Sequence, residues 1–77
     1  MKPSAALVFE YLRSNMDREV PAMELLNNLR MIDYRSRISE INREFRSRGS
    51  LSRVVSHRIP GRTTNAYRLV LFESLPR

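Results

Sequence analysis

Seventy-seven residues make one domain with a small core, and leave no room for a second lobe around a buried catalytic cleft. The absence of cysteine excludes disulfides and thiolate metal sites, and the single histidine, His57, makes no metal site by itself. The net charge of +6 is unevenly spread: residues 1–33 hold four basic against five acidic residues, whereas residues 34–77 hold ten arginines against three glutamates.

Pro3 and Ser4 open a first helix over about 4–15, with Ser4 read as the N-cap. Ala5, Val8, Phe9 and Leu12 have the spacing of a core stripe. Leu7 and Tyr11 are left on a flank, either as the edge of the core or as a self-association patch. Residues 15–19 are polar and read as a loop. Val20 before Pro21 suits a very short strand or an extended connection, and Pro21 favours the first turn of a second helix over about 21–30. Ala22, Leu25, Leu26 and Leu29 form its apolar stripe, while Glu24, Asn27, Asn28 and Arg30 are expected to face water. Met31 or Ile32 is expected to plug the corner that follows.

The third helix, about 34–48, carries the strongest signal. Tyr34, Ile38, Ile41 and Phe45 fall on one stripe at about 100° per residue. The opposite face collects Ser36, Ser39, Glu40, Arg43 and Ser47, with Arg35 and Arg46 on one shoulder and Arg37 and Arg48 on the other. Asp33 is expected to accept a bond from the free amides of the first turn, and Gly49 to end the helix in the left-handed region. Two helices joined by so short a link, the second of them basic, have the plan of a helix-turn-helix.

Beyond Gly49 the period changes. Residues 51–59 are rich in β-branched side chains, and residues 66–72 alternate, with Tyr67, Leu69 and Leu71 on one side and Arg68, Val70 and Phe72 on the other. Pro60-Gly61 favours a type II turn between them. A hairpin over about 51–72 results, with Arg53, Arg58, Arg62 and Arg68 along it and a short tail at 73–77. Thirteen of the fourteen basic residues are arginine, whose planar fork suits phosphates and guanine edges. No stretch is apolar enough to span a membrane, and the N-terminus lacks the apolar run of a signal peptide.

The order helix, short strand, helix, basic helix, hairpin covers residues 4–72. Within it stand Ser36-Arg37-Ile38-Ser39-Glu40-Ile41, Arg46-Ser47-Arg48-Gly49, Ile59-Pro60-Gly61-Arg62 and Ala66-Tyr67-Arg68-Leu69. This pattern resembles small winged helix-turn-helix proteins of bacteriophages and integrated elements, which often read S-R-I-S-E-L-R, then R-G, then a basic wing ending in Y-R-L. The resemblance implies a single α+β domain, 1–77, with three helices and a C-terminal hairpin wing. It also implies a transcriptional regulator in the cytoplasm of a bacterial cell or phage-infected host, its third helix in the major groove of double-stranded DNA and its wing on a minor groove or the backbone. Two features depart from the family pattern. The turn reads Arg30-Met31-Ile32-Asp33 where many such units have Gly, and Asn42-Arg43-Glu44-Phe45 is individual, so no target sequence carries over.

Such motifs usually insert the N-terminal half of the recognition helix first, which makes Arg35, Ser36, Ser39, Glu40 and Arg43 the candidates for base edges. Arg43 suits guanine O6 and N7. Glu40 either accepts from a cytosine amine or pairs with Arg37 or Arg43 and orients them. Arg37, Arg46, Arg48, Arg58 and Thr63 are candidates for the DNA backbone, and Arg62 for the minor groove. Leu7, Tyr11, Val70 and Phe72 are the candidates for a homodimer or a DNA-bound oligomer. Other expectations are negative: no enzyme, cofactor, metal, membrane or small-molecule substrate, because no acid–base pair, Gly-rich phosphate loop or metal cluster stands out. Two other functions fit the same charge pattern, an interaction module for an acidic host protein and an architectural protein that bends DNA.

Overall fold

Pro3 fixes the backbone at the start of the first helix, where its missing N–H costs nothing, and α1 runs Pro3–Ser14. In this computed structural model, which describes residues 2–61 and 64–72, the remaining elements are β1 (Val20–Pro21), α2 (Ala22–Leu29), α3 (Tyr34–Ser47), β2 (Arg53–Arg58) and β3 (Asn65–Val70). The result is a small α+β fold of three helices and a three-stranded antiparallel sheet in the order β1-β3-β2. The tail at 73–77 lies outside the described residues.

Ala5, Val8 and Leu12 of α1 are buried with Leu25 of α2, Ile38 and Ile41 of α3, and Val20, Val54, Tyr67 and Leu69 of the sheet. Phe9 meets Phe45 at 5.9 Å between ring centroids, and Tyr34 meets Tyr67 at 6.0 Å in an edge-on contact. These two ring pairs join α3 to α1 and to β3, each adding about 0.5–1.5 kcal/mol beyond its buried area.

Strand register decides which face each hairpin residue occupies. Val54, Ser56 and Arg58 stand opposite Leu69, Tyr67 and Asn65, so they share the face that packs on the helices. Arg53, Val55 and His57 stand opposite Val70, Arg68 and Ala66 on the other face. The short β1 pairs Val20 with Tyr67 and Pro21 with Ala66, and an edge position is where a strand tolerates proline.

Several local expectations change. Ser4 lies inside α1 rather than capping it: Lys2 is the N-cap residue, and the Ser4 hydroxyl accepts a bond from Arg37 Nη1 at 3.0 Å. Asp33 makes no side-chain cap, because its backbone (φ −95°, ψ 38°) is not extended as an N-cap's usually is. Its carbonyl instead receives the amides of Ser36 and Arg37. Pro21 belongs to β1 and is the N-cap of α2. Glu24 does not simply face water, since it accepts bonds from Tyr11 and Arg18. Arg30 takes the left-handed conformation (φ 52°) that glycine commonly fills in such turns. Met31 plugs the corner, while Ile32 is 84% exposed.

The end of α3 follows expectation and adds detail. Gly49 is left-handed (φ 71°), its amide bonds to Arg46 O, and the Ser50 amide bonds to Phe45 O at 2.9 Å. That pair of bonds is a Schellman motif, which turns the chain sharply into β2. At the far end of the hairpin Gly61 is also left-handed (φ 76°), as a type II turn after Pro60 requires.

Candidate nucleic-acid interface

The arginines of α3 divide into two sets by their partners. On the shoulder toward α1, Arg37 is only 19% exposed, bonded to Ser4 and flanked by Asp33 at 3.7 Å and Glu40 at 3.6 Å. Its Nε is buried without a hydrogen-bond partner among the described residues. Arg48 pairs with Glu44 at 3.3 Å. Both pairings follow the three- and four-residue spacings that make helical neighbours. Arg37, a candidate for a phosphate, thus bridges α3 and the start of α1, and Glu40 lies within ion-pair distance of it.

On the shoulder toward the hairpin, Arg35, Ser39, Arg43 and Arg46 fall on one stripe of about 80°. Among the described residues no carboxylate pairs with Arg35, Arg43 or Arg46. Arg35, Ser36, Ser39, Glu40 and Arg43 line one open concavity of about 520 Å³ together with Arg37 and Lys2. Every residue expected to face bases therefore lines one depression. Lys2 was missed, because nothing in its spacing ties it to α3; only the packing of α1 brings it there.

Tyr67 links this helix face to the hairpin. Burial in the core pushes its phenol above the ordinary range, and Tyr34 adds to the shift. Arg35 and Asn65 beside the hydroxyl act in the opposite direction. Asn65 is the register partner of Arg58, so Arg35 and Arg58 flank the same stretch of sheet from two elements. Arg62 and Thr63 lie outside the described residues.

At the other end of α3, Arg46 shares a smaller concavity of about 220 Å³ with Asn42, Ser50, Leu51, Ser52 and Arg53. Asn42 fixes this corner. Its Oδ1 accepts the Val54 amide at 2.7 Å, and its Nδ2 donates to the Val54 carbonyl at 3.2 Å. These are the groups β2 turns away from β3, so the side chain caps the sheet edge and locks it to α3. The Ser52 hydroxyl accepts the Phe72 amide at 2.8 Å and donates to its carbonyl at 3.3 Å, which ties the approach to β2 to the chain just beyond β3.

Other candidates lie elsewhere. The Tyr11 hydroxyl is engaged internally, donating to Glu24 and accepting from Asn28 Nδ2 at 2.7 Å. Leu7 is exposed, Val70 half-buried and Phe72 exposed. Arg68 lies on the sheet face away from α3 and donates from Nε to Met16 O at 3.3 Å, and His57 on that same face contacts Glu19. Among the described residues there is no cluster of His, Cys, Asp or Glu fit for a metal, and no helix is long and apolar enough to cross a membrane. A scan of protein-family models, a search of curated proteins and a search of solved structures each found no match.

Proposed function

We propose that this chain is a winged helix-turn-helix protein that binds double-stranded DNA with sequence preference and acts as a transcriptional regulator of a phage or mobile element. In this reading α3 enters the major groove, and the hairpin rests on the adjacent backbone or minor groove. The observation that carries it is the division of the α3 arginines. Those on one shoulder are neutralised by Asp33, Glu40 and Glu44, while Arg35, Arg43 and Arg46 keep their charge on one exposed stripe. A solvated helix face has no need of such a division. A surface for phosphates and guanine edges does.

Roles follow from position. Arg43, in mid-stripe, reads a base; Arg46 and Arg58 hold phosphates; Arg37 and Glu40 set the helix against α1. Discrimination per base contact is only about 1–3 kcal/mol, so useful specificity calls for a dimer or a DNA-bound array. The test is a gel-shift titration of the DNA flanking its own gene against random duplex. Arg43→Ala relaxes the preference, and Arg62→Ala weakens both duplexes alike. Equal losses from Arg43→Ala on the two duplexes would move that side chain to the backbone class.

A second reading takes an acidic protein as partner. It is favoured by Leu51, 74% exposed and lining the Arg46–Arg53 corner, a pairing of apolar and cationic surface. It predicts weak, non-saturable duplex binding and a stoichiometric protein complex.

A further inference from the structure

Ile32 is the most exposed of the large hydrophobic residues described, at 84%. Nothing local calls for it. Turns favour Gly, Asn, Asp and Ser, and a β-branched side chain is a poor choice between the left-handed Arg30 and the helix-starting Asp33. Its neighbour Met31 is buried, which anchors the turn in the core and holds the next residue outside it. Ile32 is therefore presented at the N-terminal end of α3, three residues before Arg35, where the lined concavity begins.

Accepting that α3 enters the major groove, we infer that Ile32 reads the 5-methyl group of a thymine at the edge of the bound site. That methyl is the one apolar group among the base edges of the major groove, and apolar side chains discriminate thymine by contact with it. The polar residues on the stripe cannot perform this selection. Ile32 would supply an apolar surface at the N-terminal end of α3, and its own exposed area would be covered only when DNA is bound. It is a specificity-determining residue under this inference, with no part in the stability of the free domain.

The test uses the whole chain and duplexes enriched by it from a random-sequence pool. These are resynthesised in two forms, with thymine or with deoxyuridine, which differ by the methyl alone. For the unaltered protein the uracil form is expected to bind about four- to tenfold more weakly, the effect of removing a buried methyl-sized contact. Ile32→Ala is expected to bind both forms within twofold of each other, and Ile32→Val to keep most of the difference. Circular dichroism of the variants should be unchanged. Saturable binding with no uracil penalty, or with the same penalty in Ile32→Ala, would overturn the role of Ile32 and leave the DNA-binding reading standing. Failure of every protein to saturate any duplex would overturn that reading and the inference with it.

Discussion

Replacing Asn42 by alanine removes both bonds that tie the edge of β2 to α3. Each such bond is worth about 0.5–1.5 kcal/mol net, so the loss should be about 2 kcal/mol. A 77-residue domain has roughly 4–12 kcal/mol in total, which makes this a large fraction. Urea denaturation followed by circular dichroism should show the midpoint falling by about 2 M, at a slope of about 1 kcal/mol/M. Asn42→Asp refines the test. Its carboxylate still accepts the Val54 amide but faces the Val54 carbonyl with a second acceptor, so at neutral pH it should recover at most part of the alanine loss. An alanine variant within about 0.5 kcal/mol of the parent, or an aspartate variant as stable as the parent, would refute the reasoning.

Two further predictions concern other corners of the fold. Bonds from Arg18 and then from Tyr11 hold the Glu24 carboxyl below its ordinary range. Its stabilisation is thus complete above the ordinary glutamate pKa and is lost as pH falls through the lowered folded value; Glu24→Gln should flatten that part of the acid-denaturation profile. Arg30→Gly relieves a left-handed arginine costing about 1–2 kcal/mol, while glycine's extra freedom in the unfolded chain returns up to about 1. Thermal unfolding should rise by a few degrees, and a fall would show that the arginine side chain contributes more than its backbone costs.

Helix periods, the Gly49 terminus and the Pro60-Gly61 turn were legible because each depends on residues close together in the chain. The same is true of the arginine division in retrospect: Asp33, Arg37 and Glu40, and Glu44 and Arg48, already sit at pairing distances along a helix. What was not legible depends on tertiary packing. Ser4 looks like a cap until α1 brings it to Arg37, and Asn42, off the apolar stripe of α3, shows no partner until β2 arrives at its side. Glu24 looks solvated until Tyr11 closes on it from α1. Met31 and Ile32 were equal candidates for the corner, since only the direction taken by the chain after Arg30 decides which one points inward.

The central claim, that the shoulder of α3 bearing Arg35, Arg43 and Arg46 is the DNA-binding surface, is tested most directly by two double variants of equal charge. Arg43→Ala with Arg46→Ala removes two positive charges from the stripe, and Arg13→Ala with Arg68→Ala removes two from other faces. Duplex affinity is measured against salt concentration for both and for the parent. The first pair should lose at least tenfold in affinity, and its log–log salt slope should fall by about 0.9, for the one phosphate contact, that of Arg46, which it removes. The second pair should stay within about twofold of the parent with its slope nearly unchanged. Equal losses from the two pairs would mean that only net charge matters, and would contradict a dedicated surface on α3.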